Sequence, residues 1–165
     1  MSFYVGITLV VFTALLEASV LPLFRVDGLQ PNLTLVLLMA WLVIRGAEEA
    51  FLLIPIGGIF IGLVDGALMG TALLALAPVA VLQEFRGAHL SERGMIVAVV
   101  FTALMSLIYN YTYLLVFTLQ GEAGSWAEAT TQVVLPAALL NVAVLLPLYF
   151  AFVLVNPQPR RTLYA

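Results

Sequence analysis

"GGIFIGLVDGALMG", residues 57–70, is the stretch on which the interpretation of the fold depends. Glycine recurs at every fourth position from Gly58 to Gly70, and a single carboxylate, Asp65, stands in a run that is otherwise apolar. Glycines four residues apart and an isolated carboxylate have different roles in water and in lipid. The composition of the whole chain identifies the solvent.

The chain is far more apolar than a soluble protein. Hydrophobic residues make up 64% of its 165 residues and charged residues 9%, against about 45–50% and about 25% in soluble globular domains. This composition predicts a helical membrane protein in which spans use nearly all of the chain. We therefore expect one transmembrane domain over residues 1–165, without a separate soluble catalytic domain.

Six apolar segments predict the helices. A bilayer core about 30 Å thick needs roughly 20 apolar helical residues per span. The predicted helices cover residues 3–21, 31–43, 47–65, 67–83, 95–119 and 133–155. Residues 47–83 are too long for one span, because an unbroken helix would exceed about 50 Å at about 1.5 Å per residue. We place a turn at Asp65-Gly66, and the sequence thus predicts an all-α bundle of six transmembrane helices.

The arginines predict the orientation of this bundle. If the N-terminus lies inside, only Arg25 falls on the outer side. The other five arginines fall on the cytoplasmic side: Arg45, Arg86, Arg93, Arg160 and Arg161. This positive-inside bias predicts that both termini are cytoplasmic.

The chain offers few groups for catalysis or metal binding. One histidine, His89, and no cysteine leave zinc or copper without enough nitrogen or sulfur ligands. His89 is assigned to a cytoplasmic loop and Asp27 and Asp65 to the opposite face, so the bilayer separates the members of a Ser-His-Asp triad. There is no phosphate-binding glycine loop and no basic patch for nucleic acid. We therefore expect a non-enzymatic protein without cofactor, metal or nucleic-acid partner.

The glycines of the third helix define one candidate contact face. Gly58, Gly62 and Asp65 share a face if this helix continues to residue 65, and Gly66 extends the spacing of four. In lipid, small residues four apart allow two helix backbones to approach closely. This face either packs inside the bundle or binds a partner. Asp65 either marks a hairpin tip at the membrane surface, or caps a neighbouring helix or orients a partner there.

The first helix carries a similar pattern. Ala14 and Ala18 are four residues apart, and Glu17 lies beside them, about one helical turn before Pro22. A carboxylate within a span faces protein or a cavity, or snorkels to the interface when it is near a helix end. Glu17 therefore either snorkels outward or takes part in docking a partner.

Two asparagines and four prolines also lie within the predicted spans. Asn110 and Asn141 can make hydrogen bonds between helices, and Asn110 can alternatively line a small-molecule pocket. Proline removes a backbone hydrogen bond and bends a helix. The four prolines are Pro55, Pro78, Pro136 and Pro147, and they favour a curved bundle able to enclose a shallow cavity.

Four consecutive segments resemble a known family. They are "LQPNLTLVLLMAW" (29–41), "IRGAEEAF" (44–51), "GIFIGLVDG" (58–66) and "LMGTALLAL" (68–76). Together they resemble MreD, the small polytopic rod-shape-determining protein of bacterial cell elongation. The similarity covers about residues 15–80, and the second half of the chain matches in hydropathy alone.

The resemblance implies a scaffold subunit of the bacterial cytoplasmic membrane. Such a subunit binds the single-pass protein MreC and, through it, MreB filaments, the glycosyltransferase RodA and a class B penicillin-binding protein. The role implied is in cell shape and peptidoglycan synthesis. The resemblance also implies a fold similar to the substrate-binding S-components of energy-coupling-factor vitamin transporters.

That fold likeness leaves a second function open, a vitamin-binding transporter subunit. In those proteins, small residues on the first helix, as at Ala14 and Ala18, dock a transmembrane coupling protein. A vitamin binder needs several convergent polar residues near its outer mouth. Besides scattered tyrosines, the sequence offers Gln30, Asn110 and Asn141 for this purpose.

Overall fold

The computed structural model describes residues 3–24, 29–44, 47–64, 70–81, 94–121 and 124–155. Helices account for 92% of these residues, which confirms the all-α prediction for the described part of the chain. The helices are α1 (Phe3–Ser19), α2 (Leu33–Ile44), α3 (Ala47–Val64), α4 (Thr71–Val81), α5 (Gly94–Leu119), α6 (Trp126–Ala129) and α7 (Leu135–Val155). A short 3₁₀ helix, Leu21–Phe24, follows α1, and a π-helix, Thr130–Val134, joins α6 to α7.

The predicted boundaries agree closely with α1, α2, α3 and α5. The fourth helix begins at Thr71 instead of residue 67, because Gly70 has a φ of 99°, a backbone conformation that glycine adopts readily and other residues do not. The predicted turn residues Asp65 and Gly66 lie outside the described residues. His89, Asp27 and all six arginines lie outside them as well, so the predicted orientation stays a prediction.

The last helical run begins earlier than predicted. Helix α6, the π-helix and α7 form a continuous run over Trp126–Val155, 30 residues long, whereas the sequence pattern predicted a start near residue 133. The polar residues before 133 fit a helix because their hydroxyls bond to backbone carbonyls one turn earlier. Thr130 Oγ1 donates to the Trp126 carbonyl at 2.8 Å, and Thr131 Oγ1 to the Ala127 carbonyl at 3.1 Å.

Among the described residues, three helical runs are long and apolar enough to cross a bilayer: Phe3–Leu23, Gly94–Leu119 and Trp126–Val155. The other apolar helices are shorter, over Leu33–Ile44, Glu49–Leu63 and Thr71–Val81. With 12 residues, α2 extends only about 18 Å, well short of a bilayer core of about 30 Å. The described part of the chain therefore has six helical runs, of which three have the length of a full span.

Helix α2 is the centre of the bundle. It packs against α1, α3, α5 and α7, and 10 of its 12 residues are buried. Such a helix is apolar on all sides, in agreement with its sequence "LTLVLLMAWLVI". Near its C-terminal end, the Trp41 ring meets Phe152 of α7 edge to face at 5.8 Å, and the indole Nε1 donates to Glu49 Oε2 at 3.1 Å. The short helix is thus enclosed by the longer ones.

The outer surface of the bundle is apolar. Large hydrophobic side chains are exposed on the helices that surround α2, for example Phe12 on α1, Ile59 on α3, Leu74 on α4, Ile96 on α5 and Leu139 on α7. Soluble monomers rarely expose apolar surface on all sides, whereas lipid chains solvate it well. Together with the three span-length helices, this surface identifies a helical membrane protein.

Glycine allows α3 to pack closely on α1 and α2. A Cβ atom placed on Gly57 would lie 3.0 Å from Thr34 Cγ2 and 3.2 Å from Val10 Cγ1. A Cβ placed on Gly6 would lie 3.1 Å from Leu53 Cδ1. Because residue 53 is next to residue 6 and residue 57 next to residue 10, α1 and α3 run parallel and in register.

We expect the substitution Thr102→Val to stabilise the protein. Thr102 on α5 is fully buried. Its Oγ1 is the one buried side-chain polar atom of the described residues that has no hydrogen-bond partner. An unpaired buried hydroxyl costs about 1–3 kcal/mol, and valine removes it with little change of shape. The free energy of unfolding in detergent should rise by about 1 kcal/mol.

The matched control for this substitution is Thr118→Val on the same helix. Thr118 is exposed and its Oγ1 donates to the Leu114 carbonyl at 2.7 Å, so its replacement should bring no gain. Thermal unfolding of the two variants beside the wild type measures the difference. A lower melting temperature for Thr102→Val than for Thr118→Val would contradict the prediction.

Candidate functional site

The N-terminus of α2 lies inside the protein and is capped there by other elements. Asn32 precedes the helix, and its Oδ1 accepts from the Leu35 backbone N–H at 2.8 Å, the usual geometry of an N-cap. The Asn32 N–H donates to Asn141 Oδ1 of α7 at 2.7 Å, and the Thr34 N–H donates to Glu17 Oε2 of α1 at 3.1 Å. Backbone donors that water would satisfy at a surface are satisfied here by side chains.

Glu17 is one of these capping groups. Only 9% of its surface is exposed, and its Oε2 accepts from both the N–H and the Oγ1 of Thr34, the latter at 2.9 Å. A carboxylate at the start of a helix is favoured by the positive end of the helix dipole. Glu17 therefore lies within the bundle instead of snorkelling to the interface, and it links α1 to α2.

Asn141 connects three helices. While its Oδ1 accepts from Asn32 before α2, its Nδ2 donates to Ser106 Oγ of α5 at 2.7 Å. Asn110, one turn after Ser106, donates its Nδ2 to the Ser106 carbonyl at 2.8 Å. Two sets of hydrogen bonds thus surround the start of α2: Glu17 with Thr34, and Asn141 with Asn32 and Ser106. We call these five residues the α2 cap cluster.

A cavity of about 310 Å³ adjoins the α2 cap cluster. This volume is at the lower end of the range of small-molecule sites, about 300–1,000 Å³. The cavity is lined by residues of α1, the segment before α2, α5 and the last helical run: Glu17, Gln30, Asn32, Tyr109, Asn110, Tyr113, Leu114, Phe117, Ala129, Val133, Val134, Ala137 and Asn141. Apolar walls with a few convergent polar groups are typical of a ligand site.

The cavity lies at the start of α2. Asn32 bonds to Asn141 of α7, which bonds to Ser106 of α5. From this contact α5 continues to Leu119, and the last helical run extends back to Trp126. Residues of both extensions line the cavity, among them Phe117 and Val133.

One wall of the cavity is aromatic. Tyr109, Tyr113 and Phe117 follow each other at intervals of four along α5 and so share one face of the helix. The ring centroids of Tyr109 and Tyr113 are 4.9 Å apart, and those of Tyr113 and Phe117 are 6.3 Å apart. The Tyr109 hydroxyl donates to the Tyr113 hydroxyl at 3.1 Å. The rings thus form a continuous ladder beside the cavity.

The opposite wall contains the π-helix. The Leu135 N–H donates to the Thr130 carbonyl, five residues earlier, and the next residue, Pro136, has no N–H to donate. Val133 and Val134 of this segment line the cavity, and Ala137 follows them on α7. Single π-turns within α-helices occur frequently at functional sites, so the π-helix independently marks this region.

The residues selected from the sequence have different positions. Ala14 is 1% exposed and Gly58 is buried, so both lie inside the bundle, whereas Ala18 and Gly62 are partly exposed. Glu17 lies between Ala14 and Ala18 on α1. Among the described packing or partner-binding candidates, Glu17 is the residue that lines the cavity. Asp65 and Gly66 lie outside the described residues.

Gly58 makes the closest helix contact of the glycine face. A Cβ atom there would lie 2.8 Å from Leu73 Cα, a backbone atom of α4. A Cβ on Gly62 would lie no closer than 3.9 Å to the Gly70 backbone nitrogen. The glycine face therefore packs against α4 within the same chain, and its tight point is Gly58.

Sequence analysis missed Thr34 and Ser106 as members of the α2 cap cluster. A local signal existed for one part of it, since "PNLT" places Asn32 directly before an apolar helix, where asparagine is a favoured N-cap. Of the two alternatives for Asn110, the structure shows the pocket: Asn110 lines the cavity, and its amide bonds within α5 instead of to another helix. Asn141 makes the predicted bond between helices and lines the cavity as well. Ser106 and Thr34 carry no such signal in the sequence.

Comparison of the chain with models of known protein families, with curated proteins and with solved structures finds no match.

Proposed function

We propose that this protein is an MreD-like scaffold subunit of the bacterial cell-elongation machinery. In this proposal the helical runs form six membrane segments in the cytoplasmic membrane, with both termini in the cytoplasm. The protein binds an MreC-like single-pass protein and, through it, acts on MreB, RodA and a class B penicillin-binding protein. Its work is binding, without catalysis.

The observation that carries the proposal is the position of the resembling segments in the fold. "LQPNLTLVLLMAW" supplies the N-cap Asn32 and the central helix α2, and "GIFIGLVDG" supplies the glycine contact of α3 with α4. The resemblance therefore lies in residues that determine how α1 to α4 pack.

The partner helix should meet lipid-exposed residues of α1 and α3. Ala14 and Gly58 are buried by contacts within the chain, so they are not free to receive another helix. Phe12 and Ile59 are exposed and lie at the same depth, since α1 and α3 run in register. Both belong to, or border, the half of the chain that resembles MreD, and apolar side chains of this kind associate in lipid through close packing.

We expect a photo-crosslinking side chain at position 12 or 59 to capture a single-pass membrane protein in native membranes. The same probe at Leu139 or Leu154, which are exposed on α7, should capture none, because that helix lies outside the resembling half. Mass spectrometry of the adducts identifies the partner. An MreC-like protein is the expected product, with cell-wall synthases recovered in the uncrosslinked complex in mild detergent.

The opposite pattern would contradict the proposal. Adducts confined to positions 139 and 154 would place the interface elsewhere. Recovery of ATPase subunits with one vitamin molecule per protein, in place of an MreC-like protein, would exclude the scaffold function.

The cavity favours a second candidate function, the vitamin-binding S-component. Gln30, Asn110 and Asn141, which are scattered in the sequence, meet at one cavity together with Glu17. Convergent polar residues of this kind are what such a protein requires. Recovery of the uncrosslinked complex in mild detergent separates the two functions. The scaffold complex should contain an MreC-like protein, and the transporter complex should contain ATPase subunits.

A further inference from the structure

We propose that the cavity beside the α2 cap cluster holds one acyl chain of a membrane phospholipid, which enters between α5 and the last helical run while the headgroup stays outside. The proposal goes beyond the scaffold function and does not depend on it. Three features of the cavity carry it: the apolar lining, the opening at the surface of the bundle, and the depth of that opening along the helices.

Most of the cavity lining is hydrocarbon. Besides the rings of Tyr109 and Tyr113, α5 and the last helical run contribute these apolar lining residues: Leu114, Phe117, Ala129, Val133, Val134 and Ala137. Apolar side chains offer water no hydrogen bonds, whereas a buried water molecule typically makes about two to four. An empty space would leave the same side chains without van der Waals partners on one side. A hydrocarbon chain supplies these contacts.

The polar lining residues at the start of α2 make hydrogen bonds within the protein. Asn141 uses both ends of its amide, because Oδ1 accepts from the Asn32 N–H and Nδ2 donates to Ser106 Oγ. Oε2 of Glu17 accepts from the N–H and the hydroxyl of Thr34. These bonds hold the helices together around the cavity. The acyl chain therefore does not have to supply a hydrogen bond or a charge there.

The cavity is open at the surface of the bundle. Phe117 is 39% exposed and Val133 is 46% exposed, and both line the cavity. Phe117 belongs to α5 and Val133 to the last helical run, and both helices have the length of a full span. A chain can therefore enter sideways between these two helices, without passing through the centre of the bundle.

The opening lies where the polar part of the last helical run ends. Thr130, Thr131 and Gln132 come directly before Val133, and residues 133–155 form the apolar part of the run. This apolar part is about 35 Å long at about 1.5 Å per residue, close to the bilayer core of about 30 Å. Val133 therefore lies at the edge of the hydrocarbon region. An acyl chain can enter the cavity at this depth while its headgroup stays beside the polar turn.

The test is photolabelling of the full-length protein in liposomes. The probe is a phosphatidylcholine with a diazirine at the end of one acyl chain, diluted into unlabelled phosphatidylcholine. Lipids around the protein reach exposed residues such as Leu154, whereas a chain inside the cavity reaches Val134 and Ala137, which are buried. We expect mass spectrometry of proteolytic fragments to find adducts at Val134 and Ala137. Leu145, a buried residue of the same run outside the cavity lining, should carry none.

Two variants with a matched control close the cavity. Val133→Trp enlarges a partly exposed side chain at the opening, and Ala137→Leu fills space within the cavity. Each should lose the adduct at Val134 and keep the adduct at Leu154. Leu139→Trp enlarges an exposed residue outside the cavity lining and should be labelled as the wild type is. Thermal unfolding establishes that each variant is folded.

Three results would overturn the inference. The first is a set of wild-type adducts confined to exposed residues. The second is labelling of Val134 that is the same in folded Val133→Trp and Ala137→Leu as in the wild type. The third is equal labelling of Val134 and Leu145, which would show that the probe reaches buried residues without using the cavity. None of them affects the crosslinking result for a partner protein, so the two proposals fail separately.

Discussion

We expect the replacement of Gly58 with alanine to destabilise the protein and the replacement of Gly62 with alanine to leave its stability unchanged or slightly raised. The two glycines lie on the same helix, four residues apart, and both face α4. At Gly58 the new Cβ would lie 2.8 Å from Leu73 Cα and 3.0 Å from Leu73 Cδ1, and a backbone atom moves only if the helix moves. At Gly62 the nearest atoms are 3.9 and 4.0 Å away, which is ordinary van der Waals contact.

The expected size of the Gly58 effect follows from overpacking. Forcing a methyl group into a closely packed contact costs about 1–3 kcal/mol, while alanine gains up to about 1 kcal/mol over glycine in a helix. Gly58→Ala should therefore lower the melting temperature in detergent, and Gly58→Leu should yield no monodisperse protein on gel filtration. Gly62→Ala should unfold at or slightly above the wild-type temperature. Identical melting of the two alanine variants would show that α3 and α4 are not in close contact at Gly58.

The second large effect is expected for Asn141→Leu. Leucine has the same branched arrangement of side-chain heavy atoms as asparagine, but it neither accepts from the Asn32 N–H nor donates to Ser106 Oγ, bonds of 2.7 Å each in the wild type. The Asn32 N–H would remain buried without a partner, which costs about 1–3 kcal/mol. We expect a loss of this size in the free energy of unfolding, and faster hydrogen exchange at the start of α2.

Asn110→Leu is the control for this substitution. Asn110 bonds within its own helix, to the carbonyl four residues earlier, so its loss leaves no helix terminus uncapped and should cost clearly less. In a double-mutant cycle, Asn141→Leu and Ser106→Ala should be coupled, since each removes the same bond. Two results together would mean that the α2 cap cluster does not hold the helices together. One is additivity of Asn141→Leu and Ser106→Ala in the cycle. The other is an equal loss of stability for Asn141→Leu and Asn110→Leu.

Sequence patterns were sufficient for the helices because these patterns are local. Apolar runs predicted α1, α3 and α5 almost to the residue. They failed at the start of the last run, where "WAEATTQ" has the composition of a loop but forms a helix through hydroxyl bonds to carbonyls one turn earlier. Hydropathy does not decide how many of the six predicted helices span the full bilayer, because an apolar run indicates burial in protein as well as in lipid; among the described residues, three helical runs have that length. Helix α2 is apolar because it is surrounded by other helices.

The glycine spacing predicted a contact face on α3 but not its tightest point. Gly58 and Gly62 are equivalent in the sequence, since both lie four residues from another glycine. They differ in the structure because the start of α4 diverges from α3 near Gly70, so that Leu73 meets Gly58 closely and Gly62 keeps free space. The glycine spacing of α3 does not show where the backbone of α4 lies.

The sequence by itself determined that this protein is a bundle of apolar helices, because composition and hydrophobic run length are sums over neighbouring residues. Only the tertiary structure decided where its polar residues meet. Asn32 and Asn141 are 109 positions apart, and Ser106 and Asn141 are 35 apart, so no local pattern connects them. Nearly all polar groups buried in proteins have a hydrogen-bond partner, and for the groups at the start of α2 the partners come from the helices that surround it. The α2 cap cluster therefore arises from the packing of α1, α5 and α7 around the start of α2.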